Sequence, residues 1–308
     1  MEQRQAAIQS LSRRIRELRD LRKAVILAHF YQRPEVQDVA DFVGDSLQLA
    51  QQAATTSAEV IVFCGVYFMA ESAKILSPAK IVLLPDEEAG CPLADMATPE
   101  AVRLRKQELP GCIVVTYVNS SAAVKAESDF CCTSSNALQV VKAQPQDRPV
   151  LFVPDRNLGD YIARRTGRRL ELWDGYCHVH DRLTVEDIKS AQTRHPEAPV
   201  VVHPECRPEI IDLADHVTST GGMLKYAGAS SASTFIIGTE QGMLYPLQRA
   251  FPDKSFYSAA PHMVCPNMKL TTLEKVRWAL EDMAPQVEVP PRVHERARQA
   301  LVRMLEIT

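Results

Sequence analysis

The chain predicts an α/β protein of three homologous αβα sandwich units with parallel sheets, arranged around a pseudo-threefold axis with the active site at the centre. It repeats itself with a period of about 87 residues, which calls for one supersecondary plan used three times. Within each repeat, short runs rich in Val, Ile and Leu alternate with amphipathic stretches, the pattern of parallel strands covered by helices on both faces. Polar residues close these runs at matched places, where parallel α/β sheets keep their ligand-binding groups.

The elements follow in order. Ile8, Leu11, Ile15 and Leu18 stand at helical spacing among charges, so the first segment reads as an amphipathic helix. The opening strands are KAVILAHFYQ (23–32), CIVVTYVNS (112–120) and PVVVHPEC (199–206), with His29, Tyr117 and His203 at equivalent positions. Next comes a hydroxyl cluster able to begin a helix: Ser46 in GDSLQLA, Ser134 in TSSNALQV and Thr220 in STGGMLKYA. A second strand then runs into helix-like sequence in EVIVFCGVYFMAESAKIL, PVLFVPDRNLGDYIARR and TFIIGTEQGMLYPLQRAF. A third strand leads to Cys91, Cys177 and Cys265. The linking stretches ATPEAVRLRKQELPG and RLTVEDIKSAQTRHPEAP read as helices ended by Pro and Gly turns. ERARQALVRMLE should be a last helix packed back on the body. The expected units are 1–104, 105–190 and 191–308.

Composition bounds the function. With 46% hydrophobic and 24% charged residues, the 308-residue chain has the make-up of a soluble globular protein. Its 35 basic and 38 acidic residues leave no general field for nucleic acid or anionic lipid, so an anion site must be local. No apolar run reaches the roughly 18 residues a membrane span needs, and the best of them is broken by Glu71 and Lys74. The first stretch has no apolar core resembling a signal peptide, so none is expected. The expectation is a cytoplasmic protein that binds neither nucleic acid nor membrane. Eight cysteines are too few for a disulfide scaffold of this length, so reduced thiols are expected.

Three cysteines so far apart in sequence meet only through tertiary structure. Any one alone reads as a core thiol; recurrence at the same strand end argues for a shared metal centre. Three thiolates suit a cubane with one iron free of protein, a Lewis acid fit for dehydration chemistry. Zinc with three thiolates and a water is the alternative metal. Cys64 and Cys112 read as buried filler and Cys206 as packing, while Cys131 and Cys132 are expected near the pocket.

The segments HFYQ, GDS, VIVFCGVYFMAESAKIL, GCPLAD, TYVNSSAAVKA, TSSNA, HPEC, STGGM and CPNMKLTTLEKV resemble the signature segments of the quinolinate synthase family, over roughly residues 22 to 285. That resemblance implies condensation of iminoaspartate with dihydroxyacetone phosphate to quinolinate, a step of NAD biosynthesis. It also implies a 4Fe-4S cluster on Cys91, Cys177 and Cys265, and supply of iminoaspartate by an L-aspartate-oxidising enzyme. By the same resemblance His29, Ser46, Tyr117, Asn119, Ser134, His203, Glu205 and Thr220 bind substrate. Glu205 is the expected general acid or base, with a pKa raised by confinement, and Tyr31, Tyr117 and His203 are the other proton carriers. His180 is expected close behind the cluster, or as a turn cap. After Cys265 the chain reads CPNMK, without the CxxCxxC spacing of some members, so no thiol–disulfide switch is expected there. Two other readings compete. A cluster-bearing sensor would need an output surface, and no helix-turn-helix or basic stripe supplies one. A hydro-lyase using the same open iron would differ in its substrate-binding segments.

Overall fold

The computed structural model describes residues 2–307. The first unit runs α1 (Glu2–Leu21), β1 (Ala24–His29), α2 (Pro34–Gln37), β2 (Phe42–Gly44), α3 (Ser46–Thr55), β3 (Val60–Cys64), α4 (Tyr67–Leu76), β4 (Ile81–Leu83), α5 (Pro92–Asp95) and α6 (Pro99–Glu108). The second runs β5 (Ile113–Tyr117), α7 (Ala122–Ala126), β6 (Phe130–Cys132), α8 (Ala137–Lys142), β7 (Val150–Val153), α9 (Arg156–Thr166), β8 (Glu171–Leu172) and α10 (Val185–Arg194). The third runs β9 (Val200–Val202), α11 (Pro208–Ile211), β10 (His216–Val217), α12 (Thr220–Ala229), β11 (Thr234–Gly238), α13 (Leu244–Ala250) and β12 (Ser255–Ser258). Two further helices follow, α14 (Leu273–Asp282) and α15 (Pro291–Glu306).

Each unit holds one four-stranded parallel sheet, and the strand order is the same in all three: β2-β1-β3-β4, β6-β5-β7-β8 and β10-β9-β11-β12. The predicted α/β architecture is therefore present. The registers repeat as well. Leu27 pairs with Phe42, Val115 with Phe130 and Val201 with His216, the same separation along the chain each time. The central strands β3, β5 and β7 are buried along their whole length, as expected for sheets covered on both faces.

One device fixes that register three times. Asp41, Asp129 and Asp215 each accept the backbone N–H of a first-strand residue, Ile26, Val114 and Val200, at 2.8 Å. The backbone N–H of each Asp returns a bond to the carbonyl of the same residue. An aspartate just before the second strand thus clips it to the first and satisfies a donor in the buried sheet.

Helix starts also follow from side chains. Asp45 caps α3 through Gln48 N–H and forms a reciprocal box with the Gln48 side chain, while Ser219 caps α12 through Gly222 N–H. The second unit departs from this pattern, because α8 begins three residues after Ser134. There Asn136 Oδ1 accepts from Thr133 N–H at 2.9 Å and closes a turn where the other units begin a helix. Beyond the third sheet the chain returns to the other units. Helix α14 packs on α1 and β3, and α15 packs on α4, α7 and β6.

Candidate active site

The first strands end at the same point in each unit. His29 closes β1, Tyr117 closes β5 and His203 follows β9, so all three lie beyond carboxyl ends of strands. They line one cavity of about 730 Å³ together with Ser46, Ser134 and Thr220. Tyr31, Asn119 and Glu205 also face it, as do Cys91, Cys177 and Cys265. The structure therefore brings together the three cysteines and all the substrate-binding and proton-carrying residues that the sequence nominates for the site. Among the described lining residues there is no Lys or Arg, so donors here are hydroxyls, imidazoles and helix starts.

Glu205 lies at the middle of a hydrogen-bonded chain drawn from all three units. Its Oε2 is 2.9 Å from His180 Nδ1 and 3.1 Å from His203 Nδ1. An ionised carboxylate only accepts, so both Nδ1 atoms donate to it. His203 Nε2 then lies 3.2 Å from Ser134 Oγ, and His180 Nε2 lies 2.8 Å from Thr239 Oγ1. Thr239 Oγ1 in turn is hydrogen-bonded to Tyr31 Oη at 2.6 Å.

The electrostatics correct one expectation. Burial pushes the Glu205 carboxyl up, but the His180 and His203 imidazoles on either side outweigh it and hold the group below the usual carboxylate range. Confinement alone does not decide the shift, because the partners are within hydrogen-bond reach. Burial keeps His29 neutral, with a pKa pushed down to about 3, and lowers His203 in the same direction. Burial, with the Glu205 charge nearby, pushes Tyr31 and Tyr117 well above the ordinary phenol value. Both phenols are donors at neutral pH. Two acceptors stay open: Glu205 Oε1 and Asn119 Oδ1 are buried and have no partner among the described residues.

The three repeat cysteines are partly exposed, toward the cavity they line. Nearby backbone N–H groups favour the thiolate at each cysteine: those of Ala94 and Leu93 at Cys91, of His180 at Cys177, and of Met268 and Asn267 at Cys265. Burial pushes the Cys91 thiol up to about 12, so without a cation it stays protonated. Soft sulfur donors from three units, each surrounded by N–H groups and facing one cavity, suit an iron–sulfur cluster. Cys177, His180 and Glu205 form a second grouping, with donor atoms all within 4.8 Å of one another. Hydrogen bonds account for it, since His180 Nδ1 lies between Cys177 Sγ at 3.2 Å and Glu205 Oε2.

The remaining cysteines sort by burial. Cys131 and Cys132 do not line the cavity, contrary to expectation, because both are buried within β6, before the turn that begins at Thr133. Cys64 and Cys206 are buried too, with Cys206 Sγ directed at Gly238 O at 3.6 Å.

Several residues escaped the sequence reading. Ser135 Oγ lies 2.8 Å from Asp45 Oδ2 and 2.9 Å from Ser219 Oγ, which joins the caps of α3 and α12 through the second unit's turn. Asp45, Thr133 and Ser219 carry the repeat period, so the period itself could have found them. Asp155 and Glu240 are fully buried carboxylates at the ends of β7 and β11. Asp155 accepts from Cys177 N–H and Glu240 from Cys265 N–H, both at 3.2 Å, so each holds the loop of one cysteine. Glu240 is balanced by Lys269 Nζ at 2.9 Å.

Comparison with known proteins agrees over nearly the whole chain. Residues 13–306 match the family model described as "Quinolinate synthetase A protein". The chain is 59% identical over 293 residues to the quinolinate synthase of Desulforudis audaxviator (strain MP104C), covering 95% of this chain and 97% of the relative. It is 56% identical over 299 residues to that of Geobacter sp. (strain M21), covering 97% and 98%. It is 51% identical over 298 residues to "Quinolinate synthase 2" of Methanosarcina acetivorans, covering 97% and 96%.

Proposed function

The chain belongs to the quinolinate synthase family, and from that membership we propose that its central cavity condenses iminoaspartate with dihydroxyacetone phosphate. The products are quinolinate, phosphate and two waters. Atoms and electrons balance without an oxidant, so the chemistry is carbon–carbon and carbon–nitrogen bond formation with dehydration. The observation that carries the reading is the convergence of equivalent residues from three repeats on one cavity that holds three thiols and open acceptors but no Lys or Arg among its described lining.

Cys91, Cys177 and Cys265 would hold a 4Fe-4S cluster. When bound by three protein ligands, such a cluster supplies a Lewis-acidic iron with an open position. The other roles belong to the chain's own residues. Ser46, Ser134 and Thr220 offer hydroxyls to the carboxylates of the substrate, and the N-termini of α3 and α12 add their dipoles. His29 and Asn119 extend the same set of partners. Glu205, ionised and oriented by His180 and His203, is the base that takes substrate protons, and Tyr31, Tyr117 and His203 are positioned to return them. The enclosing walls limit water where imines form.

The proposed setting is the cytoplasm, where iminoaspartate would be supplied by an L-aspartate-oxidising enzyme. No helix among the described residues is long and apolar enough to cross a membrane. The test is anaerobic. Purified protein should contain about four iron and four sulfide and should form quinolinate from enzymatically generated iminoaspartate and dihydroxyacetone phosphate. Serine at any of Cys91, Cys177 or Cys265 should abolish the cluster. Stoichiometric zinc, or iron without quinolinate formation, would overturn the reading.

A further inference from the structure

The turn at 133–136 meets both neighbouring units inside the site. Ser134 reaches His203, and Ser135 joins the helix caps Asp45 and Ser219. What holds the turn is Asn136, whose side chain is buried and fully used. Its Oδ1 accepts from Thr133 N–H at 2.9 Å and Thr133 Oγ1–H at 3.2 Å. Its Nδ2 donates to Met304 O at 3.0 Å and Ile307 O at 2.8 Å, at the end of α15.

Those last carbonyls of a helix have no partner within it, so an amide that takes two of them is a C-terminal anchor for α15. The same helix backs the first unit's share of the site. Leu301 and Met304 are fully buried, and with Ser46, Phe68 and Met69 they line one narrow gap. Helix α15 thus stands behind Ser46 and is bonded to the turn that bears Ser134 and Ser135.

We propose that Asn136 is a positioning residue through which the docking of α15 sets the turn that receives the substrate dicarboxylate. The inference rests on the dicarboxylate reading of the cavity. If docking of α15 favours binding, binding must favour docking to the same extent, because the coupling is reciprocal.

The first arm of the test uses the unaltered, cluster-loaded protein under anaerobic conditions. Saturating quinolinate should slow hydrogen exchange at the amides of residues 304–307 as well as at 133–136. The second arm uses N136D, which keeps the acceptor that Thr133 uses and removes the donor that α15 uses. Its affinity for quinolinate, and its KM for iminoaspartate, should weaken about tenfold with kcat and cluster absorbance retained. N136A should resemble N136D, and exchange at 304–307 should no longer respond to ligand in either. Wild-type affinity in N136D would overturn the proposal, as would exchange at 304–307 that is indifferent to quinolinate in the unaltered protein. The first arm decides the matter even if the variants do not fold. Failure of the unaltered protein to bind quinolinate at all would instead remove the functional reading, and this proposal with it.

Discussion

Replacement of Thr239 by Val keeps the side-chain shape and deletes one hydroxyl that two other groups need. The hydroxyl is fully buried and hydrogen-bonded to both Tyr31 Oη and His180 Nε2. Tyr31 faces the cavity and can turn to water or ligand, whereas His180 is almost wholly buried and finds no substitute. Leaving one buried polar group unsatisfied costs about 1–3 kcal/mol, and the lost Tyr31 bond adds about 1 kcal/mol, so T239V should be less stable by about 2–4 kcal/mol. The part that reaches catalysis is the hold on the His180 ring, which orients Glu205. If about 1.4–2 kcal/mol of that hold is expressed in the transition state, turnover falls roughly 10- to 30-fold. The assay is urea unfolding by circular dichroism beside anaerobic turnover, with T239S as the control that keeps the hydroxyl. T239S should stay within about threefold of the parent in rate. Equal stability and rate in T239V and T239S would refute the argument, because the hydroxyl would then carry no load.

Three more outcomes follow from the same geometry. E205Q keeps size but cannot exchange a proton, so turnover should fall about 10²-fold or more with cluster content and quinolinate affinity little changed, read by steady-state kinetics and titration. His29 titrates near pH 3 when folded and near 6.5 when unfolded, so the unfolded chain binds the extra proton in between. Its stabilisation is complete above about pH 6.5 and is lost as pH falls, by about 3 kcal/mol at pH 4.5; unfolding curves of H29N should lack that part of the slope. Glu205, held low when folded, adds a loss in the same direction once pH drops below the ordinary carboxylate value. Finally, D129A and D41A should each destabilise by about 1–3 kcal/mol, because each leaves the N–H of a fully buried first-strand residue, Val114 or Ile26, without its acceptor; urea midpoints decide it.

The parts that were legible in the chain are those carried by the period. His29, Tyr117 and His203, the three hydroxyls and the three cysteines sit at equal steps, and the folded units bring them to one cavity. Asp41, Asp129 and Asp215 keep the same steps and were open to the same reading, but a lone aspartate before a strand looks like a turn residue until its partner is known. Where the repeat breaks, the chain falls silent. Asp155 and Glu240 occupy matching strand ends, yet Val66 fills that place in the first unit, so no pattern marks them. The lowered pKa of Glu205 needs His180 from another unit, and the late start of α8 needs a turn closed by Asn136. The docking of α15 on units distant in sequence is likewise a product of assembly rather than of local spacing.

The threefold plan has a consequence for counting. A chain that folds the same way three times offers ligands in threes, and the described residues hold three such units. A cube viewed along its body diagonal has the same arithmetic: three corners are alike and the near one stands apart. For the proposed cluster, the corner left without a sulfur from the protein is then no omission but what triplication dictates.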